Sequence, residues 1–93
     1  MPIRDAESFR QLRDALSEDI EAGRLDIPEA VRRMRNVTGM TQVEFAKKLG
    51  IAELTLKQIE RGKGNPTLAT LQSLGKIFGL SVGFVKMPAK SAI

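Results

Sequence analysis

The polar side chains best placed to do chemistry cluster in one stretch, GIAELTLKQIERGKGNP (Gly50–Pro66). It presents an acid, Glu53, then Leu54, then Lys57 and Gln58, and ends in a turn-rich loop with Arg61, Lys63 and Asn65. These groups donate and accept hydrogen bonds and carry charge. Covalent and metal chemistry have little to work with, because the chain contains no Cys and no His. The commonest general base, the commonest nucleophile and the usual zinc ligands are therefore missing. Ser and Thr remain as nucleophile candidates with no base nearby, and no phosphate loop is present. The expectation is a protein that is not an enzyme and takes no cofactor or metal. Tyr and Trp are also absent, which removes most stacking platforms for single-stranded nucleic acid.

At 93 residues the chain is one domain, able to bury roughly 60–65% of its unfolded surface. A core of that size is often completed by a partner chain. The lack of Cys fits a reducing cytosol. No run of 18 apolar residues exists and the first ten residues, MPIRDAESFR, are polar. Neither a membrane span nor a signal peptide is expected, and the predicted location is the cytoplasm, on the nucleoid when bound to DNA. The net charge of +4 is unevenly spread. Residues 1–26 carry four basic and seven acidic side chains, net −3, and residues 27–93 carry eleven and four, net +7. A basic body with an acidic arm suggests a polyanion on one surface.

Five helices are needed to position these groups. Phe9, Leu12, Leu16 and Ile20 recur at three- and four-residue spacing, the stripe of a helix over roughly 6–22, with Asp5 as its cap and Gly23 as its stop. Pro28 suits the first turn of a second helix, with Val31 and Met34 inward. Thr41 caps a third, whose inner face holds Phe45, Ala46 and Leu49 up to Gly50. The fourth helix lies within Gly50–Pro66, with Ile51, Leu56 and Ile59 inward. Thr67 caps a fifth that carries Leu68, Leu71, Leu74 and Phe78. In LSVGFVKM the period then changes to alternation, which predicts a short strand closed by Pro88. A lone strand has no partner for its backbone groups, and the same strand of a second copy is the simplest supply.

The third and fourth helices, joined at Gly50, form a helix-turn-helix. Thr41–Leu80 resembles the Xre/Cro/C1 family of bacterial and phage repressors in Thr41-Gln42, Phe45-Ala46, Leu49-Gly50, Ile59-Glu60-Arg61-Gly62, Asn65-Pro66 and the Leu68/Leu71 helix. The likeness covers about residues 28–80. It implies an all-α, lambda-repressor-like domain, here with five helices including the extra N-terminal one. Added to the strand reading, this divides the chain into an acidic amphipathic helix (1–26), a helix-turn-helix domain (27–79), a dimerisation strand (80–88) paired across a dimer, and a tail (89–93).

The resemblance also implies site roles. The second helix of the motif lies in the major groove, which makes Glu53, Leu54, Lys57 and Gln58 the base readers. Thr41, Gln42, Arg61, Lys63 and Asn65 become phosphate contacts, with Thr55 touching base or phosphate. Gln58 suits adenine, Lys57 guanine or phosphate, and Leu54 a thymine methyl; Glu53 either accepts from cytosine N4 or satisfies the start of its own helix. Glu60 is expected to pair with Arg35. Arg32, Arg33, Lys47 and Lys48 read as solvated faces. Two positions depart from the family pattern: Val43, a candidate docking point for the N-terminal helix, and Gly75, which costs roughly 1 kcal/mol in a helix unless another backbone packs against it.

A homodimer through Ile77, Phe78, Val82, Phe84 and Val85 would set two reading helices one DNA turn apart over an inverted repeat. Paired strands of this kind resemble the lid of HipB-like antitoxins. Two functions follow. The leading one is a sequence-specific repressor of transcription acting on double-stranded DNA. The other is an antitoxin that neutralises a partner toxin and represses its own operon. The acidic arm separates them: a brace buries Phe9, Leu12, Leu16 and Ile20, whereas a toxin-binding arm leaves them exposed.

Overall fold

A computed structural model describes residues 6–23, 25–84 and 86 of the chain. Five helices follow one another, α1 (Ala6–Glu21), α2 (Ile27–Thr38), α3 (Gln42–Leu49), α4 (Glu53–Glu60) and α5 (Leu68–Ile77). Their starts are written in local hydrogen-bond chemistry. Asp26 accepts from the Glu29 N–H at 3.0 Å to begin α2, with Pro28 in the first turn. Thr41 and Glu44 close a reciprocal capping box on α3: the Thr41 hydroxyl accepts from the Glu44 N–H, and the Glu44 carboxylate accepts from the Thr41 N–H. That backbone bond holds the Glu44 carboxyl below its ordinary range. Thr67 caps α5 by accepting from the Thr70 N–H. Asp5, the expected cap of α1, lies outside the described residues.

The core gathers Val31, Met34 and Val37 of α2, Phe45 and Ala46 of α3, Leu56 and Ile59 of α4, and Leu74 of α5. Leu16 joins them from α1, only 1% exposed, and Phe9, Leu12 and Ile20 pack half-buried against the same core. The arm is thus docked as a brace, on α2. An ion pair from Arg33 to Asp19 holds the two helices together. Val43 does not receive the arm, being 56% exposed on α3. The inward stripe of α5 also starts one turn later than its spacing predicts. Leu71, Leu74 and Phe78 pack inward, and Leu68 in the first turn stays exposed.

Gly75 has the packing reason that its place in a helix requires. After Gly79 (φ 70°) the chain folds back, and the Leu80 N–H donates to the Gly75 carbonyl at 2.8 Å. A Cβ at position 75 would stand 2.7 Å from the Leu80 carbonyl oxygen. That overlap is with backbone, so no side-chain rotation relieves it. Gly75→Ala is therefore expected to lower the thermal midpoint by circular dichroism, although alanine is the better helix former by roughly 1 kcal/mol. A raised midpoint would show that residues 80–84 yield without cost.

The strand expected over 80–88 is not formed among the described residues: 81–84 and 86 lie outside any strand. Alternation of Leu80, Val82 and Phe84 supplies an apolar side but no ladder, and one copy of the chain offers no backbone to pair with. Val82 and Phe84 are exposed instead. Val85, Met87 and the tail 89–93 lie outside the described residues.

Candidate nucleic-acid interface

The turn between α3 and α4 is fixed by Gly50 in the left-handed region at φ 73°. Its N–H donates to the Lys47 carbonyl and the next N–H, of Ile51, reaches back to the Ala46 carbonyl. This pair of bonds lets the chain leave one helix and enter another within three residues. The same device closes α4. The Gly62 N–H (φ 73°) donates to the Ile59 carbonyl, and the Lys63 N–H to that of Gln58 at 2.8 Å. Eight residues of helix thus stand between two hydrogen-bonded stops.

α4 divides cleanly by side. Leu56, Ile59 and Glu60 are buried. Leu54 (63% exposed) and Gln58 face outward, and Glu53 and Lys57 are half-exposed beside them. Thr55 is half-buried. The four expected base readers therefore share the free side of one short helix. Glu53 stands in the first turn of α4, where a carboxylate suits the positive helix start, and it also pairs with the Lys57 ammonium at 3.0 Å, one turn along. Arg61, Lys63 and Asn65 are exposed in the loop that follows. The loop passes close to Gln58, whose amide oxygen would lie 3.5 Å from a Cβ at Gly64.

Beneath this surface sits one buried carboxylate. Glu60 is 4% exposed and its two oxygens take the Arg35 guanidinium in a fork, 2.9 Å from Nε and 3.1 Å from Nη2. The pair expected from the resemblance is thus present, and two further bonds enlarge it. The Gln42 amide donates to Glu60 Oε1 at 3.1 Å, and Arg35 Nη1 donates to the Met40 carbonyl. Helices α2, α3 and α4 and the turn before α3 are held by these two side chains. Among the described residues, no buried side-chain polar atom is left without a partner.

Three roles differ from those expected. Gln42 is first a member of this clamp, with one amide N–H remaining for another acceptor. Arg32 donates to the Glu60 main-chain carbonyl and Arg33 reaches Asp19, so neither is a merely solvated face. Helical spacing places an arginine on a face but does not name the carbonyl or carboxylate its long stem reaches. The Glu53–Lys57 pair, by contrast, carries the i, i+4 spacing of a helix ion pair in its sequence. Thr41 spends its hydroxyl oxygen as an acceptor in the capping box, which leaves its proton as a donor at the start of α3.

Among the described residues no group of three or more acids could hold a metal ion, and no helix is long and apolar enough to cross a membrane.

Comparison with known proteins places these elements among relatives. A helix-turn-helix family model, HTH_3, matches residues 31–85. An uncharacterized HTH-type transcriptional regulator of Archaeoglobus fulgidus is 36% identical over 52 residues, 56% of this chain and 74% of that protein. The uncharacterized HTH-type transcriptional regulator YazB of Bacillus subtilis is 37% identical over 60 residues, 64% of this chain and 87% of its own length. The immunity repressor protein of Bacillus phage phi105 is 28% identical over 61 residues, 66% of this chain and 42% of that protein. No solved structure matches.

Proposed function

Because the chain belongs to the HTH_3 helix-turn-helix family, we propose that it is a DNA-binding transcriptional regulator that reads double-stranded DNA with α4. The observation that carries this reading is the division of α4. Leu56, Ile59 and Glu60 fix the helix to the core, and Glu53, Leu54, Lys57 and Gln58 are left together on its free side. A basic loop follows directly, and its Arg61 and Lys63, with Asn65, Thr41, the remaining Gln42 N–H and Thr55, supply the contacts to phosphate and sugar. Such contacts give affinity, and α4 gives sequence preference. The mode of action is repression, by occupying an operator that polymerase needs. The name of one relative, the phage immunity repressor, supports repression, and those of the others support regulation of transcription.

The operator is an inverted repeat read by a homodimer. Ile77, Val82 and Phe84 are exposed apolar side chains towards the end of the chain. With Phe78 and Val85 they form the contact surface, and residues 80–88 gain their strand only on meeting the same segment of the second copy. The two α4 helices then stand about 34 Å apart. In this arrangement 1–26 is a brace, 27–79 the DNA-binding body and 80–88 the dimer contact. The docking of α1 through Leu16 favours this regulator over an antitoxin, whose arm would be free to take a toxin. Deleting residues 80–93 is expected to shift the dimer to monomer in a sedimentation dilution series; an unchanged dimer defeats that contact.

Selection of bound sequences from random duplex DNA tests the function itself. The expected result is enrichment of a twofold-symmetric motif, with affinity that falls steeply as salt rises. Weak, salt-insensitive binding without enrichment would refute it.

A further inference from the structure

The Glu53–Lys57 pair asks for a purpose, because an acid at the head of a helix that meets phosphate lowers affinity. Glu53 Oε2 stands 3.0 Å from the Lys57 ammonium, an ion pair one turn along α4. Both side chains are partly exposed, 41% for Glu53 and 38% for Lys57, on the side that also presents Leu54 and Gln58. The pair sets an acceptor, the Glu53 carboxylate, directly beside a donor, the Lys57 ammonium, on that partly exposed side. Taken singly, Glu53 repels DNA and Lys57 attracts any of it; joined, they carry no net charge and have a direction.

We propose that Glu53 and Lys57 read DNA as one unit, selecting a C·G base pair in each half-site. The inference rests on α4 facing base edges, as proposed above. On the major-groove edge of a C·G pair the cytosine N4 amino group, a donor, lies beside O6 and N7 of guanine, both acceptors. The Glu53 carboxylate accepts from N4 and the Lys57 ammonium donates to O6 and N7. Guanine gives the ammonium two adjacent acceptors where adenine gives one, so C·G is favoured over T·A. The unit also works by exclusion. With its charge cancelled by Glu53, Lys57 is not free to bind phosphate on unrelated DNA, which keeps non-specific affinity low.

The test compares the full-length wild type with Glu53→Gln, Lys57→Met and the double variant. Random duplex DNA is selected first. Affinities are then measured at two salt concentrations on the best site, on that site with the C·G pair changed to T·A, and on scrambled DNA. The wild type is expected to prefer C·G at one position per half-site by about 5- to 150-fold, the span of a good base contact. Glu53→Gln is expected to lose that preference, bind scrambled DNA more tightly, and steepen the salt dependence by about 0.9 per half-site as Lys57 turns to phosphate. Lys57→Met should lose the same preference, and the double variant no more than either single one, because the two act together. A retained C·G preference in Glu53→Gln, or effects of the two substitutions that simply add, overturns the inference. A wild type that enriches no sequence overturns the DNA-reading function itself, a result distinct from a wild type that enriches a motif Glu53→Gln leaves unchanged.

Discussion

Glu60→Ala is expected to cost about 3–5 kcal/mol of folding stability, the range found when one partner of a buried ion pair is removed. The reason is the number of groups stranded at once. Arg35 loses both bonds of its fork and keeps a charge in a partly dry site, and the Gln42 amide loses its acceptor. Domains hold together by only about 5–15 kcal/mol in total. With about 4–8 °C of melting temperature per kcal/mol in a domain of this size, the midpoint should fall by at least ~12 °C in a circular dichroism melt. Glu60→Gln, which keeps one acceptor, should fall between the two. Arg35→Met combined with Glu60→Leu should regain much of the loss, because no charge is then left buried. A Glu60→Ala protein that melts within about 3 °C of the wild type, less than 1 kcal/mol on that scale, would show that the clamp carries little of the fold.

The second large effect concerns binding and leaves folding alone. Gln58 is exposed on α4, so truncating it takes nothing from the core. On the selected operator, Gln58→Ala should cost about 1–3 kcal/mol per half-site, the worth of a bidentate bond to adenine. A twofold complex counts that twice, giving an affinity lower by about 25-fold to 20,000-fold in fluorescence anisotropy. On scrambled DNA the same substitution should change little. Lys63→Ala provides the contrast: it weakens binding to both DNAs alike and lowers the salt slope by about 0.9 for each phosphate that the lysine no longer neutralises. Equal weakening on operator and scrambled DNA for Gln58→Ala would move Gln58 from the base readers to the phosphate binders.

The helices were legible because their causes are local. Stripes at three and four residues, Thr41 and Thr67 as caps, and glycines at 23 and 50 act within one or two turns of the residues they punctuate. The Arg35–Glu60 pair, bridging α2 and α4, was legible through likeness to a family. Arg32 on the Glu60 carbonyl, Arg33 on Asp19 and Gln42 on Glu60 were not, because a long side chain's partner is decided only when the helices have met. The terminal strand failed for a related reason. Alternation over Leu80, Val82 and Phe84 specifies a one-sided surface, but a strand also needs a neighbour, and that is a property of two chains. At the proposed site the exposure of Glu53, Leu54, Lys57 and Gln58 followed from the helical period. The i, i+4 spacing of Glu53 and Lys57 also permits their ion pair, but contact with a base did not follow from it.

The two glycine stops around α4 have a consequence for how such a protein can change its target. The helix is seated by its turns at Gly50 and Gly62, by Leu56, Ile59 and Glu60, and by the Arg32 bond to the Glu60 carbonyl. Of the four outward side chains, Glu53 and Lys57 make an ion pair internal to the set. In the proposed reading, position and vocabulary are carried by separate residues of the same short helix. A lineage could rewrite its operator through substitutions at 53, 54, 57 and 58 alone, paralogues could diverge without refolding, and a designer could exchange the helix as an interchangeable cartridge.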